Sequence, residues 1–284
     1  MNAANYPSPI DKLLSYATCE DIDITSHEQW PDYLELGFGP EHIPDLIRLA
    51  TDTTYSTSDS EDPAYCAPVH AWRILGLLHA AAAIEPLIPL TEDSEYGDIA
   101  SDELPEVYGL IGPAAIPALK ALLADSSHTP SARIDAVRCI ERIAKMHPEA
   151  KEECIAIITH QLELFAENDP EVNAFLIFAL KELKVPEAMP LIKQAYEADS
   201  VDEFFAGTFD EVQVAFGLKE RTEKPRWGEN LFGVGTQAMK EGGVFPLPEA
   251  PSKKPRSHGG GGFNKNKAKN KSAKQSRKKN RRRK

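Results

Sequence analysis

Apolar side chains recur at i, i+3, i+4 and i+7 across residues 43–217, the periodicity of amphipathic helices. No alternating apolar and polar run with hairpin turns competes with it. One short pattern returns along the chain. Ile43-Pro-Asp-Leu46-Ile-Arg-Leu49 reappears as Ile84-Glu-Pro-Leu87-Ile-Pro-Leu90, as Ile116-Pro-Ala-Leu119-Lys-Ala-Leu122 and, loosely, as Met189-Pro-Leu-Ile192-Lys-Gln-Ala195. The offsets are 41, 32 and 73 residues, the last being two units of about 36. A second pattern, Leu75-Gly76-Leu77-Leu78 and Tyr108-Gly109-Leu110-Ile111, keeps an offset of 33. Two signals on one period predict an all-α chain of stacked helical hairpins, an α-solenoid. Each short helix carries an apolar stripe that it cannot bury alone, and stacking the pairs buries it.

Boundary residues agree with this reading. Asp169-Pro170-Glu171 reads as an N-cap, a first-turn proline and a first-turn acid before a helix over Val172–Val185. Gly112-Pro113, His147-Pro148 and Val185-Pro186 separate helices, and Gly217 closes the last one. Four regions follow: a helical cap over 1–40, the repeats over 41–218, an irregular linker or packed segment over 219–251, and a tail over 252–284. In the cap, Ile10, Leu13 and Leu14 suggest one short helix. Trp30, Tyr33, Leu34 and Leu36 suggest a second, ended by Gly37-Phe-Gly39.

Charge divides the chain more sharply than its total suggests. The net charge of −12 combines 44 acidic with 32 basic side chains, and no acid follows Glu249. The first 251 residues hold 17 basic against 44 acidic groups, a formal −27, and the tail carries +15. Residues 1–119 contain 21 acids and three bases, with no Lys or Arg between Arg73 and Lys120. Glu92, Asp93, Glu95, Asp98, Asp102, Glu103 and Glu106 crowd one loop and helix start. They read either as solvated acids at helix first turns or as an electronegative, protein-binding rim that steers a basic partner. The tail bears Lys265, Lys267, Lys269, Lys271, Lys274, Arg277, Lys278, Lys279, Arg281, Arg282, Arg283 and Lys284 behind a Gly259–Gly262 hinge. Such a segment cannot form a core, and its composition predicts disorder. It suits phosphate contact on RNA or the ribosome. A solubilising arm, or one that folds back on the acidic body, is the competing reading. No apolar anchor accompanies the charge, which disfavours a membrane.

The repeat resembles a known family. Glu106-Val-Tyr108-Gly109-Leu-Ile111-Gly112-Pro-Ala-Ala115-Ile116-Pro-Ala-Leu119 is similar to the HEAT-like repeat of the phycobilisome-lyase type, and His70-Ala-Trp72-Arg73-Ile-Leu75-Gly76 through Ala83-Ile84 fits it too. Ser131-Ala-Arg133-Ile-Asp135-Ala136 resembles the second helix of such a unit, where the resemblance implies inter-repeat ladders of Arg and Asp. The match covers roughly residues 67–146. The acidic body with a Lys/Arg/Asn tail also resembles HEAT-repeat proteins of cyanobacteria. The motif specifies fold far better than function, because arrays of this kind serve lyases, scaffolds and transport factors alike.

Catalytic and cofactor signals are missing. There is no GxSxG, GxxxxGK[ST] or HExxH. Gly233-Val-Gly235-Thr-Gln-Ala238 lacks the strand context of a dinucleotide fingerprint, and Asp93-Ser-Glu95-Tyr-Gly97-Asp98 places its glycine wrongly for a calcium loop. The eight histidines are dispersed and read as structural. Cys19, Cys66, Cys139 and Cys154 have no CxxC spacing and read as small buried thiols of a reducing cytoplasm rather than disulfides or metal ligands. The N-terminus shows no secretory pattern. The apolar stretch from Ile74 to Leu90 is interrupted by His79, Glu85, Pro86 and Pro89, too broken to span a bilayer.

The sequence therefore favours a non-enzymatic scaffold without cofactors, cytoplasmic, with a HEAT-like surface for a protein and a basic arm for RNA or ribosomes. The family resemblance implies the alternative, a lyase-like protein acting on the bilins of phycobiliproteins. Against it, a bilin's two propionates want Arg or Lys beside an apolar groove, and the first 119 residues are nearly devoid of base. An assembly factor for photosynthetic complexes is a variant of the scaffold reading.

Overall fold

A computed structural model describes residues 6–16, 26–55, 62–92 and 97–220, apart from the Asp98 side chain. Contacts divide the chain into two units, Met1–Thr236 and Gln237–Lys284, and the second lies wholly outside the described residues. The predicted linker from residue 221 onward and the tail also lie outside them.

Among the described residues there are helices and no strand. They come as pairs; in the first three the second helix is the longer, and in the fourth the two are equal. Ile43–Ala50 (α1) precedes Pro63–Leu77 (α2), Ile84–Leu87 (α3) precedes Gly97–Ile111 (α4), and Ile116–Ala124 (α5) precedes Pro130–Met146 (α6). Lys151–Glu163 (α7) then precedes Pro170–Glu182 (α8), followed by Met189–Glu197 (α9), Glu203–Ala206 (α10) and Phe209–Ala215 (α11).

The two kinds of helix start differently, and the sequence says why. First helices enter through a 3-10 turn: Pro40–His42, Ala81–Ala83, Pro113–Ala115, Pro148–Ala150 and Pro186–Ala188. The last four turns end on a buried alanine, Ala83, Ala115, Ala150 or Ala188, small enough to sit under the neighbouring helix. The second helices α2, α6 and α8 start from a side-chain cap followed by proline. The Asp62 carboxylate accepts from the Ala64 N–H (3.0 Å), the Thr129 hydroxyl from Ala132 (3.2 Å) and the Asp169 carboxylate from Glu171 (2.9 Å). Pro63, Pro130 and Pro170 follow, where the missing N–H costs no hydrogen bond. Helix α3 is one turn long because Pro89 cannot extend it, and Ile88–Thr91 continues as a 3-10 turn.

The second helices α2, α4, α6 and α8 pack on one another in succession. The repeated glycine explains how closely. A Cβ at Gly76 would stand 3.3 Å from the Val107 Cα of α4, and one at Gly109 would stand 2.7 Å from Arg142 Cγ and Met146 Sδ of α6. The glycine in each copy of the Leu75-Gly76 and Tyr108-Gly109 pattern thus marks the point where the next second helix crosses. Around these crossings Trp72, Leu75, Leu104, Tyr108, Ile140 and Leu176 are fully buried. The Tyr108 hydroxyl donates to the Ile84 carbonyl at 2.9 Å, tying α4 to the first helix of its own pair. At the far end Gly217 adopts φ +71°, and the Leu218 N–H reaches the Gln213 carbonyl at 2.9 Å, closing α11 as the sequence predicts.

Two expectations change. The described parts of the N-terminal cap are 3-10 turns, Ile10–Ser15, His27–Gln29 and Leu34–Leu36. Ile10, Leu13, Trp30 and Tyr33 are buried as expected, but Leu34 and Leu36 face solvent. A single turn this short has one inner side, and Trp30, Tyr33 and Phe38 fill it. Of the cysteines, Cys66 is disulfide-bonded, whereas Cys139 and Cys154 are free and buried. The reading as four thiols is corrected at Cys66. All three described cysteines are buried alike, so burial does not distinguish a thiol from a disulfide. That depends on which segments the fold brings together. Cys19 lies outside the described residues.

Candidate interaction surface

Helix α4 carries most of the acids singled out above, and its position between α2 and α6 decides their fates. Glu103 faces α2 and is completely buried, its two carboxylate oxygens taken by Nε (2.9 Å) and Nη2 of Arg73. Glu106 faces α6, where Arg142 donates to one oxygen, while the other receives the backbone N–H (3.1 Å) and ring of His27. Asp102 is exposed and 3.3 Å from Arg138 Nη2. Glu92 accepts from the His128 ring (2.6 Å) and the Thr129 hydroxyl (3.0 Å). The rim is therefore corrected: Glu103 and Glu106 point inward and are neutralised. Glu92 and Asp102 remain at the surface, each with a partner. Asp93 and Glu95, and the side chain of Asp98, lie outside the described residues.

The pairs form a ladder at the repeat spacing. Arg138 and Arg142 lie 36 residues beyond Asp102 and Glu106, and Lys145 reaches Glu182 of α8 across 37 residues (3.4 Å). Arg133 donates to Asn168 across 35 residues (2.8 Å), and the Ser101 hydroxyl donates to Asp135 across 34 (2.8 Å). One rung depends on a proline. Pro105 has no N–H to give the Ser101 carbonyl one turn earlier, and Arg138 Nη1 donates to that carbonyl instead at 2.6 Å. The gap in basic residues between Arg73 and Lys120 concealed these partners, because each comes from a neighbouring helix. Adding one repeat length to Asp102 and Glu106 would have found Arg138 and Arg142.

Electrostatics follow from this burial. Burial raises the Glu103 carboxyl, against the pull of Arg73, while the hydrogen bonds of Glu103 keep Arg73 firmly protonated despite its own burial. Burial also presses on Glu106, but Arg142 and His27 outweigh it and leave the carboxyl below the usual range. Asp135 is pushed up to about 6 from 3.8 by burial, which the Ser101 hydroxyl and Arg138 only partly offset. A folded-state value above the unfolded one means that this group favours folding increasingly as pH falls from about 6 towards 4. The contribution is about 2–3 kcal/mol. Asp135→Asn should accordingly gain on the wild type by about 2 kcal/mol between pH 4.5 and 7. Urea midpoints at the two pH values check it, and an equal difference at both would contradict it.

Three of the described histidines, His70, His79 and His147, serve the packing. His70 bonds the buried Tyr33 hydroxyl at 2.7 Å, beneath Trp30, whose ring lies 5.1 Å from the Arg73 guanidinium carbon. Burial raises the Tyr33 phenol to about 12, against the nearby Arg73 charge. His79 and His147 approach α4 from its two neighbours and bond the carbonyls of Leu110 and Gly109 in its last turn. Those carbonyls have no partner within the helix, so the rings act as C-terminal caps.

Among the described residues no group of three or more His, Cys, Asp or Glu could hold a metal. No single described helix is long and apolar enough to cross a membrane. The twelve basic residues from Lys265 to Lys284 singled out in the tail lie outside the described residues. Comparison with protein-family models, curated proteins and solved structures finds no match to this chain.

Proposed function

We propose that this chain is a non-enzymatic interaction scaffold built as a HEAT-like α-solenoid, with an acidic surface for a basic protein partner and a disordered basic tail that tethers the complex to RNA or the ribosome. The observation that carries the reading is the ladder of pairs that recurs at 34–37 residues, four of them between consecutive second helices and one from α6 to Asn168 just before α8. Repeats that stack on their neighbours need such an interface, and these pairs supply it among the described residues. Glu92 and Asp102 remain as the described surface of the acidic rim. The split between a body of −27 and a tail of +15 supports the tether.

The test is RNA binding by the full chain against a chain ending at residue 251, titrated with salt. Neutralising 6–10 phosphates would weaken full-length binding by about 10³–10⁵ between roughly 50 and 200 mM salt. The shorter chain should bind little at any salt. Equal binding by both would remove the tail from the function and leave only the acidic body to explain.

A further inference from the structure

We propose that the α8 end of one copy of this chain receives the Leu34–Leu36 turn of a second copy, so that bodies associate head to tail. The inference goes beyond the RNA reading and rests only on the described helices and turns. It starts from a match between the first and last of the second helices. Helix α2 ends through Leu78 and His79, and α8 through Leu183 and Lys184. His79 (φ +49°) and Lys184 (φ +59°) both take the left-handed conformation. The next N–H then returns to the helix, from Ala80 to Leu75 and from Val185 to Leu180, each at 3.0 Å. The two positions are 105 residues apart, three units of 35. His79 uses this position to bond the Leu110 carbonyl, in the last turn of the following second helix. Lys184 meets no such helix. After α2, α4 and α6, the element packed next against α8 is the single turn α10. The exposed Lys184 instead lines a groove of about 450 Å³ with Lys181, Glu182, Pro186, Ala215 and Phe216.

Three observations select a second copy and this turn. The first is backbone shape. The end of α4 that His79 caps runs Leu110-Ile111-Gly112, with Gly112 at φ +87°, and the N-terminal turn runs Glu35-Leu36-Gly37, with Gly37 at φ +90°. The Glu35 carbonyl therefore stands where a Lys184 ammonium could cap it as His79 caps Leu110. The second is charge. Asp32, Glu35 and Glu41 are exposed around the turn, and no Lys or Arg occurs between Lys12 and Arg48. The groove sets two ammonium groups against one carboxylate. The third is exposed apolar surface. Leu34 (46% exposed) and Leu36 belong to the N-terminal turn, and Phe204 (67%) and Leu218 (58%) to α10 and the end of α11. Repeat arrays that stay single finish in polar caps, and this one leaves apolar side chains at both of its ends. Because the contact joins two different patches, each added copy offers a fresh groove, and growth continues unless the rotation closes a ring.

Sedimentation equilibrium of the full chain, over about 1 µM to 1 mM, tests this. The mass of the wild type should rise with concentration past that of a dimer. Leu36→Lys spoils the turn, and Lys184→Gly removes the donor while suiting the left-handed backbone. Both side chains are exposed, and unchanged melting would show that the fold is intact. Each variant alone should associate about tenfold more weakly than the wild type, or less still. An equimolar mixture of the two should form dimers at wild-type strength and nothing larger, because one variant keeps the groove and the other keeps the turn. A monomeric wild type, or one whose mass stops at a dimer, would overturn the proposal. So would variants that associate like the wild type, by moving the contact elsewhere. A mixture no more associated than its components would overturn it as well.

Discussion

Arg73→Leu should destabilise the fold by about 3–5 kcal/mol, because it leaves the Glu103 carboxylate buried without its counter-charge. Arg73 is 1% exposed and Glu103 0%, and Arg73 supplies hydrogen bonds to both carboxylate oxygens. The deficit has a sign in pH. Burial already raises Glu103, and without Arg73 the native state holds the proton more tightly still. The unfolded chain ionises first, so the loss should grow as pH rises above the ordinary glutamate range and shrink towards pH 4. Arg73→Leu with Glu103→Leu should recover most of the stability, since apolar groups of similar volume can replace a buried ion pair at little cost. Urea unfolding of the single and double variants at pH 5 and 8 checks both statements. A single variant within about 1 kcal/mol of wild type would mean that the pair is hydrated.

Trp72→Ala should cost a similar amount, about 3–5 kcal/mol, for a different reason. The indole is completely buried at the centre of α2, and its N–H donates to the carbonyl of Ala50, the last residue of α1, at 2.7 Å. Truncation removes the largest of the fully buried side chains, where α2 meets α1, and leaves a cavity that close-packed neighbours fill only partly. It also frees the terminal carbonyl of α1. Melting should shift down by on the order of 10 °C for a body of this size. Amide exchange in α1 should accelerate before that in α8, since the lost contact is local. Uniform exchange with unchanged melting would place Trp72 outside the core.

The Trp72 prediction needed little beyond the sequence, and the Arg73 prediction needed the fold. Trp72 precedes the recurrent Leu75-Gly76 step, and its place on the apolar stripe of a repeated helix marks it as buried. Arg73, one position on, has no acid within a helical turn to suggest an ion pair. Its partner is 30 residues away, on the next second helix. The acids of α4 illustrate the same limit. Read along the chain they make a uniformly acidic run, but Asp102, Glu103 and Glu106 point to solvent, to α2 and to α6. Helical geometry separates their directions by rotation, and the surrounding helices decide which directions are wet.

The sequence by itself determined that the body is helical, several points at which its helices are broken, and that charge of opposite sign lies in the body and the tail. These are local properties: periodicity, the cap at Asp169 with Pro170 in the first turn, and a glycine closing α11. Only the tertiary structure decided which acids remain available to a partner, which cysteine is oxidised, and why the glycines recur. The acids and the glycines depend on what stands across a helix crossing, and the residues that meet there are about one repeat apart in the chain.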